Sequence, residues 1–372
     1  MEAKNFLTLL GDLGCEFYTG VPDSLLSPFI DAIMDEHGIS EKHVVAANEG
    51  AAVGLAAGHY LATSRPAVVY MQNSGIGNAV NPICSLLHEK VYAIPAVFVI
   101  GWRGEPGTKD EPQHIFQGES TLPLLECMEI PYVIISNETH DLNTEEFKER
   151  LKNGQSVAFV IQKDSLQNSK KIKYSSDASL SREDALKTIL NAFKNEIFVC
   201  TTGKLSREIF EIRENNNESH DHDFLTVGSM GHSLMIAFGI ALNKKSKKVF
   251  CLDGDGAILM HMGSLAVVGV HSPKNLVHIV INNGAHETVG GLPAVSNCLV
   301  LHETAKTLGY IKNLRVSSVE ELKIALGSLN EGDGPVFIEI ICNLISRQNL
   351  GRPTTTPIQN KNSLMKFLAE EI

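Results

Sequence analysis

The stretch from Val249 to Gly291 constrains the fold more than any other part of the chain. Val249 to Leu252 is a short apolar run that ends at Asp253-Gly254-Asp255-Gly256, the pattern of a strand buried on both faces. Ala257 to Val270 follows, with Ile258, Leu259, Met262, Leu265, Ala266 and Gly269 at helical spacing. Leu276 to Ile281 is a second buried run, closed by Asn282-Asn283-Gly284. Strand, helix, strand in this order predicts a parallel pair joined by a right-handed crossover. Asp255 and Asn283 then fall just past the carboxyl ends of the two strands, the edge where open α/β sheets bind ligands. A carboxylate, an amide oxygen and the carbonyl of Ala285 make a hard oxygen set. Such a set suits Mg²⁺, which keeps water and substrate phosphate as its other ligands. Gly254 and Gly256 permit a tight turn, and the amides opening the next helix face an anion. The alternative is an ordinary strand-to-helix turn. Gly332-Asp333-Gly334 illustrates that case, since it is followed by Pro335 and precedes a strand.

The rest of the chain repeats the alternation. Phe17–Thr19, Val44–Ala46, Ala67–Tyr70, Ala96–Ile100, Tyr132–Ile135 and Val157–Ile161 are short apolar runs with helical patterns between most of them. This predicts an α/β domain with a mostly parallel sheet. With 372 residues there is room for two such domains. Residues 166–181 are polar and lysine- and serine-rich, which reads as a linker. The expected division is therefore 1–165, linker 166–181, and 182–372. Ser181 and Asp184 mark a helix start.

The net charge of -11 argues against a nucleic-acid surface, so an anionic substrate needs a local cationic pocket. The seven cysteines are scattered without paired spacing, which reads as reduced thiols. The first residues lack a signal-peptide layout, and the longest apolar stretch, Val91 to Ile100, is too short to span a bilayer. The expected location is the cytoplasm.

Candidate site residues follow the strands. Asp23, in Gly20-Val21-Pro22-Asp23-Ser24, either caps a helix or handles a proton. Glu49 opens a helix among alanines. It either complements the helix dipole or is a carboxyl whose charged form is disfavoured by its surroundings. Asn73 lies in a small polar loop, Gln72 to Asn78, which either caps a helix or lets a flat ring approach closely. Trp102 to Gly118 reads as a long polar binding loop carrying Arg103, Lys109 and His114. Thr201, Thr202 and Gly203 precede a helix and suit a diphosphate wall, though simple capping is the alternative. Ser229 and Met230 precede an Ala/Gly-rich helix. Met230 taken alone reads as core filler, and His232 beside it stays open. His286 follows the metal-type turn, and Arg347 and Arg352 lie in the carboxyl-terminal segment.

Gly-Asp-Gly, the interval Ala257 to Ile281, and Asn-Asn resemble the signature of thiamin diphosphate enzymes. Gly-Val-Pro-Asp-Ser, Asn-Glu-Gly-Ala-Ala, Pro-Gln-His, Thr-Thr-Gly-Lys, Gly-Ser-Met-Gly-His, Asn-Asn-Gly-Ala-His-Glu and Leu-Gly-Arg-Pro-Thr-Thr extend the resemblance along the whole chain, to the thiamin diphosphate-dependent 2-oxo acid decarboxylases. The resemblance implies two doubly wound, mostly parallel-sheet domains of the thiamin diphosphate-binding type, with no middle domain because the chain is too short for one. It implies that Asp255, Asn283 and the Ala285 carbonyl hold Mg²⁺. Gly254, Gly256, Ala257, Thr201, Thr202, Gly203 and Ser229 would line the diphosphate. Glu49 would bond the pyrimidine ring, Asn73 would touch that ring or the substrate, and Met230 would prop the bent cofactor. His114 or Asp23 would supply the proton that completes the reaction. Arg103, Lys109, His286 and Arg347 would face the substrate, which the resemblance points to as 3-phosphonopyruvate, giving phosphonoacetaldehyde and CO₂ in phosphonate biosynthesis. The alternatives are sulfopyruvate, a carboligase built on the same cofactor chemistry, and a non-catalytic diphosphate-binding regulator. The resemblance further implies a homodimer or larger assembly with each site shared between subunits. One departure is Leu292-Pro293-Ala294, where the family pattern is more polar.

Overall fold

The computed structural model describes residues 1–139, 142, 144–168, 170–347 and 349–370. Packing divides the chain into two units, Met1–Tyr174 with His286–Leu292, and Ser175–Ala285 with Pro293–Ile372.

The first unit is built on a sheet of six strands: β1 (Tyr18–Gly20), β2 (His43–Val45), β3 (Ala67–Gln72), β4 (Ala96–Gly101), β5 (Tyr132–Ile135) and β6 (Val157–Ile161), in the order β2-β1-β3-β4-β6-β5. Every neighbouring pair is parallel. Alternate residues of β3, β4 and β6 enter two different cores. Val68, Tyr70, Val97, Val99 and Phe159 pack with Phe6 and Phe29 on one face; Val69, Met71, Phe98, Ile100 and Val160 pack with Val53 and Ile76 on the other. This is why the central strands read as unbroken apolar runs: both faces are covered by helices. The segment just after β6 belongs to this unit, where the Ala3 amide donates to the Gln167 carbonyl at 2.7 Å.

The second unit repeats the plan with β7 (Ile197–Cys200), β8 (Asp223–Leu225), β9 (Val249–Gly254) and β10 (Leu276–Asn282). Two two-residue strands, β11 (Ala285–His286) and β12 (Leu292–Pro293), bound the segment His286–Leu292 that is grouped with the first unit, and β13 (Lys312–Val316) and β14 (Val336–Ile341) of the second unit follow. The six longer strands form a parallel sheet in the order β13-β14-β10-β9-β7-β8. The edge strand β8 is closed by Asn360 from the helix Pro357–Ala369. Its amide donates to the Asp223 carbonyl at 2.7 Å and its oxygen accepts the Leu225 amide at 3.0 Å. A side chain thus takes the place of a neighbouring strand, one of the ways an exposed edge is blunted.

Two local expectations are corrected. The helical stretch after β9 is two helices, Asp255–Met260 and Gly263–His271, because His261 adopts φ −136° and ψ 45°, outside the helical region. The Trp102–Gly118 stretch is a loop only up to Glu111. Pro112 then opens a helix that runs to Cys127, occupying the first-turn position where a missing N–H costs nothing. Among the described residues, no helix is long and apolar enough to cross a membrane.

Candidate active site

Each unit presents most of its candidate residues just past the carboxyl ends of its strands. In the first unit, Glu49 is the first residue of the helix Glu49–Thr63. Asn48 caps this helix by accepting the Ala51 amide at 2.8 Å. The Glu49 side chain is buried, and its Oε2 accepts a hydrogen bond from Asn78 Nδ2 at 2.8 Å. Burial pushes this carboxyl above the usual glutamate range, and the Asn78 bond only partly offsets the shift. Gly75 leaves no room for a larger residue, since a β-carbon there would stand 2.6 Å from Glu49 Cγ. Gly75→Ala is therefore expected to displace Glu49 and cut turnover more than tenfold in a protein that still folds. Circular dichroism alongside steady-state rates would check it.

Asp23 is buried next to this arrangement in the sheet order, following β1. Its Oδ1 accepts from Gln72 Nε2 at 2.6 Å and its Oδ2 accepts the Leu25 amide at 3.1 Å. The capping reading of Asp23 is corrected: the following helix spans Ser27–His37 with Leu26 at its N-cap and no side-chain cap bond, and Asp23 instead closes the turn before it through the Leu25 amide. Burial raises it, against the lowering pull of Gln72 and of the Arg103 charge. Arg103 forms a two-pronged pair with Asp110, at 2.8 Å and 2.7 Å, and Asp110 also accepts the amides of Gly104 and Glu111. Asn73 spends its amide on this loop. Its Nδ2 donates to the Arg103 carbonyl at 2.8 Å and to Thr121 Oγ1 at 2.9 Å, and its Oδ1 accepts the Arg103 amide at 3.2 Å. His114 lies in the first turn of the Pro112 helix. Its buried Nδ1 has no partner among the described residues, and burial with the nearby Arg103 charge pushes the ring below the usual histidine range. Lys109 is exposed. His286 is half-buried and pushed down to about 4 by burial.

In the second unit, the register pairs Gly254 with Ile281, so Asp255 leaves the sheet one residue, and Asn283 two residues, past a matched pair on adjacent strands. Asp255 is buried and accepts a hydrogen bond from Ser296 Oγ at 2.5 Å, with the amides of Gly256 and Gly284 also directed at it. Burial nonetheless pushes its carboxyl up to about 6. Asn283 Oδ1 accepts the Ala285 amide at 3.1 Å, which closes the turn and leaves its second lone pair for another partner. Met230 lies over Gly256, its Cε 3.4 Å from where a β-carbon would be. Thr201 sits past β7 beside β9, its amide donating to the Leu252 carbonyl at 2.8 Å. Its buried Oγ1 has no partner among the described residues. Gly203, with φ +98°, precedes the helix Lys204–Asn215 and turns its first amides toward the same edge. An orphan hydroxyl, helix-opening amides and a buried carboxylate in want of positive charge fit a diphosphate held through Mg²⁺. Arg347 lies in the same unit and is already paired with Glu183 at 2.7 Å and Glu211 at 2.5 Å. Ser229 is exposed, its backbone at φ +54° in the turn before Met230.

Several residues escaped the sequence reading. Asn78, Gln72, Asp110 and Ser296 each hold one of the candidate groups. Gln72, Asn78 and Asp110 lay in stretches already singled out, though not in these roles, and Ser296 lay in none. A second buried cluster lies behind the metal-type turn. Cys251, Asp253 and His278 place one ligand-type atom each within 4.8 Å of one another. His278 Nε2 stands 3.7 Å from Asp253 Oδ2, a buried acid–imidazole pair on adjacent strands.

Comparison with known proteins matches both units. Residues 3–123 match the thiamine pyrophosphate enzyme N-terminal TPP binding domain, and residues 201–340 match the C-terminal TPP binding domain. The chain is 33% identical to a phosphonopyruvate decarboxylase of Streptomyces viridochromogenes, over 98% of this chain and 94% of that one. It is 32% identical to a phosphonopyruvate decarboxylase of Streptomyces hygroscopicus, over 100% of this chain and 94% of that one. A sulfopyruvate decarboxylase subunit beta of Methanococcus maripaludis is 35% identical but aligns with only 43% of this chain, covering 83% of that subunit. Matched from end to end in this way, the chain belongs to the phosphonopyruvate decarboxylase family of thiamin diphosphate enzymes.

Proposed function

We propose that this chain decarboxylates 3-phosphonopyruvate to phosphonoacetaldehyde and CO₂ with thiamin diphosphate and Mg²⁺. The observation that carries the substrate is the near-complete alignment with two phosphonopyruvate decarboxylases, where the sulfopyruvate decarboxylase subunit aligns with less than half of the chain. Such a reaction would serve phosphonate biosynthesis, because loss of CO₂ draws forward the unfavourable formation of phosphonopyruvate.

Thiamin diphosphate supplies a nucleophilic carbon and an electron sink for the departing carboxylate. The chain's own residues place and serve it. Asp255, Asn283 and the Ala285 carbonyl hold Mg²⁺, while Thr201, Thr202 and the amides after Gly203 receive the diphosphate. Met230, set over Gly256, would prop the cofactor when it is bound. Glu49 keeps a proton at its carboxyl above the ordinary range and shares it with the pyrimidine ring, while Asn78 fixes the direction of that carboxyl. Asp23 and His114 are the two groups able to deliver the final proton. Arg103 receives the phosphonate, which must compete with Asp110 for its two-pronged face.

The assembly is a homodimer or larger, with sites completed between subunits, and the setting is cytoplasmic. Support comes from uncharged helix faces turned to solvent. Ala51, Gly54, Leu55, Gly58 and Leu61 are exposed along one helix of the first unit, and Val267 and Val270 along one of the second. Apolar surface of this kind marks association.

The test compares kcat/KM for 3-phosphonopyruvate, sulfopyruvate and pyruvate, alongside the mass in solution by light scattering. The expected result is a preference for 3-phosphonopyruvate of more than ~100-fold over pyruvate in a species of at least two chains; the anionic tail then supplies at least ~2.7 kcal/mol of transition-state binding. Equal or better use of sulfopyruvate would move the substrate assignment, and an active monomer would refute the shared site.

A further inference from the structure

Glu339 is a buried carboxyl with no part in the reaction described above. It lies on β14 with no solvent exposure, in register with Val280 of β10 on one side and Arg315 of β13 on the other. A carboxylate so placed is costly unless its oxygens are satisfied, and both are. Oε1 accepts from Asn282 Nδ2 at 2.8 Å. Oε2 accepts from the His302 amide at 3.2 Å and from His302 Nδ1 at 2.8 Å, with Arg315 Nε at 3.9 Å.

Asn282 passes this anchoring on. Its Oδ1 accepts the Gly284 amide at 3.0 Å. Gly284 is held from its other flank as well, because its carbonyl accepts from Asn297 Nδ2 at 2.7 Å and from the Ala294 amide at 2.9 Å. It has φ +69°, and a β-carbon there would stand 2.6 Å from Asn297 Cγ. The turn that carries Asn283 and the Ala285 carbonyl is therefore clamped on two sides. The inner clamp runs from His302 through Glu339 and Asn282.

We propose that Glu339 is a positioning residue for the metal, acting through Asn282 to fix the turn that offers Asn283 and the Ala285 carbonyl. The inference rests on reading Asp255, Asn283 and Ala285 as the Mg²⁺ site. Mg²⁺ demands near-octahedral ligands, whereas Ca²⁺ accepts irregular ones. Loosening the turn is thus expected to weaken Mg²⁺ more than Ca²⁺.

Glu339→Gln tests this, since an amide must direct its NH₂ at the donor of either Asn282 or His302. Asn282→Ala breaks the same link from the other end, and it serves if the first variant does not fold. Calorimetric titrations of the full chain with Mg²⁺ and with Ca²⁺, at saturating thiamin diphosphate, give the readout. The expected result is Mg²⁺ binding weakened ~10–100-fold, the range for outer-shell partners of a metal ligand, and Ca²⁺ weakened less. Mg²⁺ affinity within threefold of wild type, or equal loss for both ions, overturns the role of Glu339. Wild-type protein that takes up neither ion overturns the metal reading itself, so the two failures are distinguishable.

Discussion

Replacing Glu49 with Gln is expected to lower CO₂ release by ~10²–10⁴-fold, the usual contribution of a positioned acid or base, while the protein folds and still binds Mg²⁺. The side chain is buried against Gly75 and bonded to Asn78, and glutamine keeps its shape and can still accept from Asn78 Nδ2. What is lost is the proton. The same substitution carries an opposite effect on stability. The folded pKa of Glu49 is raised above that of the unfolded chain, so its contribution to stability is full below the ordinary glutamate value and is lost as pH rises through the folded value. Above that folded value the wild type buries a charge that Gln does not. The variant should therefore gain in melting temperature relative to the wild type as the pH rises, with the gap closing as the pH falls below the ordinary glutamate range. Parallel melts across pH and single-substrate rates check both halves. A variant that is inactive and also less stable across the whole pH range would mean that Glu49 supports the fold.

Asp255→Asn is expected to weaken Mg²⁺ by more than ~100-fold, beyond what loss of an outer-shell partner costs. Asn can still accept from Ser296 and from the Gly284 amide, so the turn keeps its shape. The negative charge that calls for a cation is gone. Ligand that binds only the folded state raises its melting temperature. Mg²⁺ with thiamin diphosphate should therefore raise the melting temperature of the wild type and leave the variant unmoved. A variant stabilised as much as wild type would place the metal elsewhere.

What was legible in the sequence is what short range determines. Strand β9, its Gly-Asp-Gly end and the Asn-Asn end of β10 lie within one supersecondary unit, so apolar runs and turn residues suffice to place Asp255 and Asn283 together. The six strands of the first sheet are visible for the same reason, as short apolar runs, whereas in the second sheet the edge strands β8 and β13 were not, because β8 has only three residues and β13 is a partly exposed edge with little apolar pattern. The helix break at His261 was not legible, because Ile258 to Gly269 keep an unbroken helical period across it. Nor was the helix at Pro112, where polar residues conceal its start. The partners that tune the site were hidden by distance along the chain. Asn78 is 29 residues from Glu49, Gln72 is 49 from Asp23, Ser296 is 41 from Asp255, and Glu339 is 57 from Asn282. Such pairs exist only once the sheet order brings them together. The cationic residues show the same limit. Arg103 and Arg347 both read as anion binders, and both carry carboxylate partners in the fold, at Asp110 and at Glu183 with Glu211.

The most direct test of the central claim follows 3-phosphonopyruvate by ³¹P NMR with purified protein, thiamin diphosphate and Mg²⁺, while CO₂ is collected. The account expects the substrate signal to give way to phosphonoacetaldehyde in one-to-one yield with CO₂, only when both cofactors are present and not with Glu49→Gln. Substrate left intact under those conditions, with the cofactors bound, would contradict it.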